Sequence, residues 1–266
     1  MKQGRKCAYC DASGELTKEH LLPRSLTLRS DEELKQNIMA RGEHRVISSE
    51  ATIADVCAAC NNGPLSLLDQ YICSLYDKYF AQVVQPGNRV KFEADFELLL
   101  RWLLKTAYNH ARARRGNWPV SLLQAERDYI LGKVKKRPTS HIILQLIPPA
   151  RIEPGSIKGL PPDATESPML FTRVGLFDFT FAPGFLMGFL IAVKSYCFHV
   201  LVEDARVDMR LRKRVFASLL KDTPGGYELV PGKRAVVYPS SLDMFQVALK
   251  SSPLVRNMRN WDNWQK

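Results

Sequence analysis

The stretch "VCAACNNGPLSLLD", residues 56–69, decides how the chain is read. Two cysteines two residues apart are the spacing of a metal knuckle or a redox pair. A second such pair, Cys7 and Cys10, stands near the N-terminus, and nothing around either pair has the βαβ pattern of a thioredoxin-like redox site. Two Cys-x2-Cys pairs together match the two-knuckle arrangement of a four-thiolate zinc site. The 46 residues between Cys10 and Cys57 exceed a minimal zinc ribbon, so further structure must sit between the knuckles.

Each knuckle leads into a polar feature. After Cys10, a turn at Ser13-Gly14 reverses the chain, and the next strand ends on Glu19-His20, with Pro23 stopping it. A carboxylate beside a histidine is a metal-plus-base pairing. After Cys60 come Asn61, Asn62, Gly63 and Pro64; Pro64 suits a first helical position, with Asn62 or Gly63 as cap. The helix then carries Leu65, Leu68, Ile72, Leu75, Tyr76 and Tyr79 as an inward stripe. At ~100° per residue Asp69 lies only ~40° from Leu65, so it flanks that stripe. An inward carboxylate needs a partner: a divalent cation, a capped helix end or a salt bridge.

"CAYC…KEHLLPRSL…DVCAACNNGPLSLLD" resembles the HNH nuclease family in its zinc-knuckle form, with a ββα-metal fold. The resemblance covers residues 5–80. It implies an endonuclease that hydrolyses nucleic-acid phosphodiester bonds. His20 would be the general base, while Glu19 and Asp69 would ligate a catalytic Mg²⁺ or Mn²⁺. Asn61 would ligate the same ion or hold the histidine loop by hydrogen bonds. Cys7, Cys10, Cys57 and Cys60 would hold a structural Zn²⁺ with no open position. Many members carry a second histidine on the helix where this chain has Asp69. The substrate expected is DNA, most simply double-stranded, with RNA as the other polymer. Defence against phage or mobile elements, and a partner such as an ATPase, are frequent settings. The alternative is a zinc-stabilised module that grips nucleic acid or a partner subunit without cutting.

The rest of the chain reads as α+β. Within 1–82, residues 30–41 read as a short helix with a Ser30/Glu33 capping box, and 44–56 as two strands about a Ser-Ser turn. "VVQPGNRVKF" at 83–92 is the boundary to a second, basic domain spanning 90–266. There 94–116 and 121–137 are helical, 141–149, 169–182, 185–193 and 195–203 are strands, and 208–221 and 242–250 are helices. Helices on one face of an antiparallel sheet are the expected arrangement.

Net charge is +11, unevenly placed. Residues 1–75 hold 9 Lys and Arg against 10 Asp and Glu, and the remainder 29 against 17. The runs at 112–115, 133–137 and 210–214 single out Arg112, Arg114, Arg115, Lys135, Lys136, Arg210, Arg212 and Arg214 as phosphate contacts. No apolar run approaches the roughly 18 residues that span a bilayer, and "MKQGRKCAYC" lacks the apolar core of a secretory signal. A reducing, cytoplasmic setting without membrane contact is therefore expected, where cysteine pairs hold metal sooner than disulfides.

Overall fold

In the first strand after the Cys7 turn, Glu19 is buried while Lys18 is exposed, the period-two alternation of a half-covered strand. This strand, β1 (Leu16–His20), leads into the short helix α1 (Arg24–Arg29). The computed structural model describes residues 5–29, 52–113, 117–149, 186–203, 207–221 and 223–241, together with the backbone of strands at 35–40, 43–48 and 173–178. Strands β2 (Lys35–Ala40) and β3 (Glu43–Ser48) pair with each other, and β4 (Thr52–Cys57) pairs antiparallel with β1.

The capping-box helix expected over 30–41 is not what the chain forms at 35–40, where β2 runs instead. Ala40 pairs with Glu43, so only Arg41 and Gly42 separate the strands. The ladder of β2 with β3 overrides local helix propensity. Of the two strands expected over 44–56, both form, but β3 turns to β2 and β4 to β1.

A helical segment follows β4 directly. It begins as α2 (Ala58–Cys60), continues as a wide turn over Asn61–Leu65, becomes α3 (Ser66–Leu75) and ends in a second wide turn over Tyr76–Phe80. It starts earlier than expected, at Ala58, and kinks at Gly63, where φ/ψ of −100° and −111° break the helix just before Pro64. Proline cannot donate to the preceding turn. The expected inward stripe forms, with Leu65, Leu68, Ile72, Leu75 and Tyr76 buried.

Beyond strand β5 (Val90–Phe92) lies α4 (Phe96–Ala113), then α5 (Asn117–Gln124) and α6 (Arg127–Ile130). Asp95 caps α4 by accepting the Leu98 backbone N–H at 3.0 Å. The helix expected over 121–137 is thus shorter and in two pieces. Strands β6 (Ser140–Leu146), β7 (Arg173–Asp178), β8 (Leu186–Val193) and β9 (Tyr196–Glu203) precede helix α7 (Met209–Lys221), and β10 (Tyr227–Glu228) and β11 (Ala235–Val237) complete the described elements. Five strands form one antiparallel sheet in the order β10-β6-β9-β8-β7, and β11 pairs with β5. The expected helix at 242–250 lies outside the described residues.

Alternation along β6 and β9 splits the sheet's two faces. Ile142, Leu144, Tyr196, Phe198 and Val200 join the main core with α3 and α4, whereas Ile143 and Leu201 pack with Val215 and Leu219 of α7. Helices therefore cover both faces, not one, and β9 is buried throughout. The main core also crosses the 83–92 boundary. Phe80 lies 4.7 Å from the Tyr196 ring and 5.9 Å from that of Phe198, and Phe92 lies 6.1 Å from Phe198. Among the described residues no helix is long and apolar enough to cross a membrane.

Two stability measurements follow. Phe80→Ala empties a fully buried site shared by both halves and lowers stability by about 3–5 kcal/mol; urea unfolding followed by near- and far-UV dichroism shows one coincident transition, before and after substitution. On the α7 side of β9, burial lowers the pKa of His199 from its ordinary 6.5 to about 4. The unfolded chain binds that proton from pH 6.5 downward and the folded chain does not. This contribution is therefore whole above pH 6.5 and is lost toward pH 4, by roughly 3 kcal/mol. Urea titrations of wild type and His199→Gln across that window show the extra acid sensitivity in wild type alone.

Candidate metal centre and its buried polar cluster

The four knuckle thiols converge. The Sγ atoms of Cys7, Cys10, Cys57 and Cys60 all lie within 4.8 Å of one another, and Cys10 Sγ is 3.6 Å from Cys57 Sγ. Tetrahedral Zn²⁺ with ~2.3 Å bonds sets its sulfurs ~3.8 Å apart, so this donor set fits such an ion. Local backbone builds the cup. Cys7 N–H donates to Ala12 O at 2.9 Å, Asp11 takes a left-handed φ of 59°, and Ala8 N–H reaches Asp55 O of β4 at 2.8 Å. Cys57 sits at the end of β4 and Cys60 on the first turn of the helix, so strand and helix meet at the cluster.

The thiols are electrostatically unequal. Burial pushes Cys7 upward, but the backbone N–H groups of Cys57, Tyr9 and Cys10 outweigh it and lower the thiol to about 7. The Cys57 N–H donates to Cys7 Sγ at 3.3 Å. Burial pushes Cys10 and Cys60 up. A thiolate held by backbone donors is the form that ligates metal.

Asn61, next after the fourth cysteine, turns back to β1. Its Nδ2 donates to Thr17 Oγ1 at 2.9 Å and to Lys18 O at 3.0 Å, and Thr17 Oγ1 donates to Val56 O at 2.8 Å. These bonds tie Asn61 to the strand that ends at His20. The β1–β4 register slips by one residue between Thr17 and Glu19, a bulge opposite Lys18. One residue of β1, Lys18, faces two of β4, Ala54 and Asp55, so the extra residue belongs to β4, and the alternation of β1 continues with Glu19 buried and His20 half-buried. Among the described residues nothing hydrogen-bonds the His20 ring, while its carbonyl accepts from Asn109 Nδ2 at 3.2 Å.

Where the sequence reading places a divalent cation, the structure places a lysine. Lys105 Nζ lies 2.8 Å from Glu19 Oε1 and 2.6 Å from each carboxylate oxygen of Asp69. Lys105 and Glu19 side chains are 2% and 4% exposed, and that of Asp69 22%. Burial raises the Asp69 carboxyl, and the Lys105 ammonium beside it opposes that rise. The Trp102 indole also favours the charged carboxylate, though its N–H falls short of a full hydrogen bond. Of the partners open to Asp69, the one present is the salt bridge.

Lys105 belongs to a polar stripe on α4 with Asn109 and Arg112, spaced i, i+4 and i+7. Asn109 Nδ2 donates to Glu19 Oε1 at 3.2 Å, and Asn109 Oδ1 accepts from Tyr9 OH at 2.7 Å and Arg112 Nη2 at 2.9 Å. Burial raises the Tyr9 phenol, which stays a donor. The Tyr108 hydroxyl donates to Ala8 O at 3.0 Å. The stripe thus joins the first knuckle to the Glu19–Asp69 pair, and sequence reading missed it. Its signal was the i, i+4, i+7 repeat of Lys105, Asn109 and Arg112 along α4.

The basic residues divide. Arg112 is inside the fold, its Nε 2.9 Å from Asp55 Oδ2 and its guanidinium 4.1 Å from the Tyr108 ring centroid. Arg212 pairs with Glu203 at 3.3 Å. Lys135, Lys136, Arg210 and Arg214 are exposed, with no ion pair among the described residues. Arg114 and Arg115 lie outside those residues.

Purified protein is expected to carry one Zn²⁺ per chain by elemental analysis. Stripping it with a strong chelator, or making Cys60→Ser, lowers the thermal midpoint and frees thiols to a colorimetric reagent; a metal-free preparation of unchanged midpoint contradicts the assignment.

Searches of protein families, curated proteins and solved structures find no match to this chain.

Proposed function

We propose that the chain is a nucleic-acid phosphodiesterase of the HNH kind that residues 5–80 resemble, with His20 as general base. One observation carries this reading: the residue after the fourth thiol, Asn61, bonds Thr17 Oγ1 and Lys18 O on the strand that ends at His20. The thiol cluster, the asparagine and the histidine are thereby one mechanical unit, as a scaffold for a positioned base requires.

In this reading the four thiols hold a closed, structural Zn²⁺. His20 takes the proton from a water whose oxygen attacks phosphorus while the P–O bond to the leaving oxygen breaks. Lys18 shares the outward side of β1 with His20 by the two-residue strand period and offers a cation to the phosphate. The exposed Lys135, Lys136, Arg210 and Arg214 supply contacts to the polymer backbone that read no sequence. Double-stranded DNA is the simplest substrate of that charge. The expected Mg²⁺ or Mn²⁺ does not fit the Glu19, Asn61 and Asp69 donors as they stand, because Lys105 holds both carboxylates and the Asn61 amide faces β1. No step is routed through it.

The lysine between the carboxylates favours a second reading, a zinc-stabilised module that binds nucleic acid without cutting. A supercoiled-plasmid assay separates the two. The nuclease reading expects nicking by wild type and a loss of about 10²–10⁴-fold in His20→Ala, with the thermal midpoint kept. Undiminished cleavage by His20→Ala defeats the assignment of the base; plasmid retention with no nicking under any divalent ion supports the binder.

A further inference from the structure

Glu19 and Asp69 come from separate elements, β1 and α3, and meet at Lys105. Three oxygens, one from Glu19 and both from Asp69, stand 2.6–2.8 Å from a single Nζ. Hard oxygens converging on one point, two of them from one carboxylate, are a donor set that a Ca²⁺-sized ion takes at ~2.3–2.6 Å. The ammonium meets that set with three N–H donors.

The ammonium is buried at this position, the residue being 2% exposed on the buried length of α4. A divalent ion at the same point would face the positive charge of Nζ across a few ångströms of protein interior. The two cations therefore exclude each other. The formal balance agrees: two carboxylates and one ammonium leave one negative charge, which Asn109 Nδ2 further tempers by donating to Glu19 Oε1 at 3.2 Å.

We propose that Lys105 is the resident cation of the Glu19–Asp69 pair, and that it keeps closed a divalent-cation site that these carboxylates otherwise form. β1 and α3 are held to α4 without a divalent ion. The inference goes beyond the nuclease reading and stands whether or not the chain cuts.

Calcium chloride is the probe, with the full, zinc-loaded chain. Wild type shows no rise in thermal midpoint up to millimolar Ca²⁺. Lys105→Ala leaves the buried Glu19 and half-buried Asp69 carboxylates without a cation, and its midpoint falls by about 10 °C; millimolar Ca²⁺ recovers most of that loss. Lys105→Gln, which keeps more of the stem, shows the same rescue at a smaller loss. Adding Asp69→Asn to either variant abolishes the Ca²⁺ response. Terbium luminescence excited through tryptophan provides a second readout, present in the Lys105 variants and absent from wild type. A folded Lys105 variant with no Asp69-dependent response to Ca²⁺ overturns the proposal. So does wild type that takes up Ca²⁺ or Tb³⁺ in an Asp69-dependent way, a measurement that decides the matter even where neither variant folds.

Discussion

An ammonium group shut away from water must be neutralised where it lies, and Lys105 is shut away at the centre of α4. Removing one partner from a buried ion pair costs about 3–5 kcal/mol, whereas the intact pair adds little net stability because both charges were desolvated to make it. Such a group dictates placement more than it adds strength. Here it demands two carboxylates, and the chain delivers them from a strand and a helix 50 residues apart in sequence, Glu19 and Asp69. The ribbon of β1 and β4, the helix after it, and α4 are each pinned at that point.

The same helix reaches the cysteine cluster. Tyr9, in the first knuckle, donates to Asn109, and Asn109 donates to Glu19 and to the carbonyl of His20. Asn61 approaches β1 from the second knuckle. The strand bearing His20 is thus held on two sides, by the residue after the fourth thiol and by the middle of α4. The thiol cluster, through Asn61, and Lys105, through Glu19, are thereby tied to one strand. On that constrained strand the His20 ring has no hydrogen bond among the described residues, while its carbonyl is held by Asn109.

Much of this was legible from residue order. The knuckles announce themselves by spacing, the antiparallel strands by alternation, and α4 by its stripe. The angular argument that turns Asp69 inward holds, because helix geometry fixes it regardless of what lies opposite. Its partner was not legible for two reasons. Lysine is almost never buried, so a periodic reading assigns Lys105 to the surface, whereas α4 is covered nearly all round. The contact also spans 36 residues, and local pattern carries no information about it. Strand β2 was missed because its ladder with β3 outweighs a plausible helix cap, and α7 was misplaced because alternation shows that a strand has two faces, not which helix covers each.

Charge shows the same gap between count and place. A surplus of +11 spread over basic runs suggests a broad polyanion surface. Folding removes part of it from consideration. Arg112 answers Asp55, Arg127 answers Asp11, Arg137 answers Glu97 and Arg212 answers Glu203. Those arginines are paired through planar guanidinium groups with carboxylates that range from buried Glu203 to exposed Asp11 and Glu97. The cations left to solvent among the described residues include Lys135, Lys136, Arg210, Lys213 and Arg214. They sit on the segment after α6 and the first turns of α7. Among the described residues, the run at 210–214 thus keeps exposed charge, whereas Arg112 in the last turn of α4 is held inside the fold by Asp55.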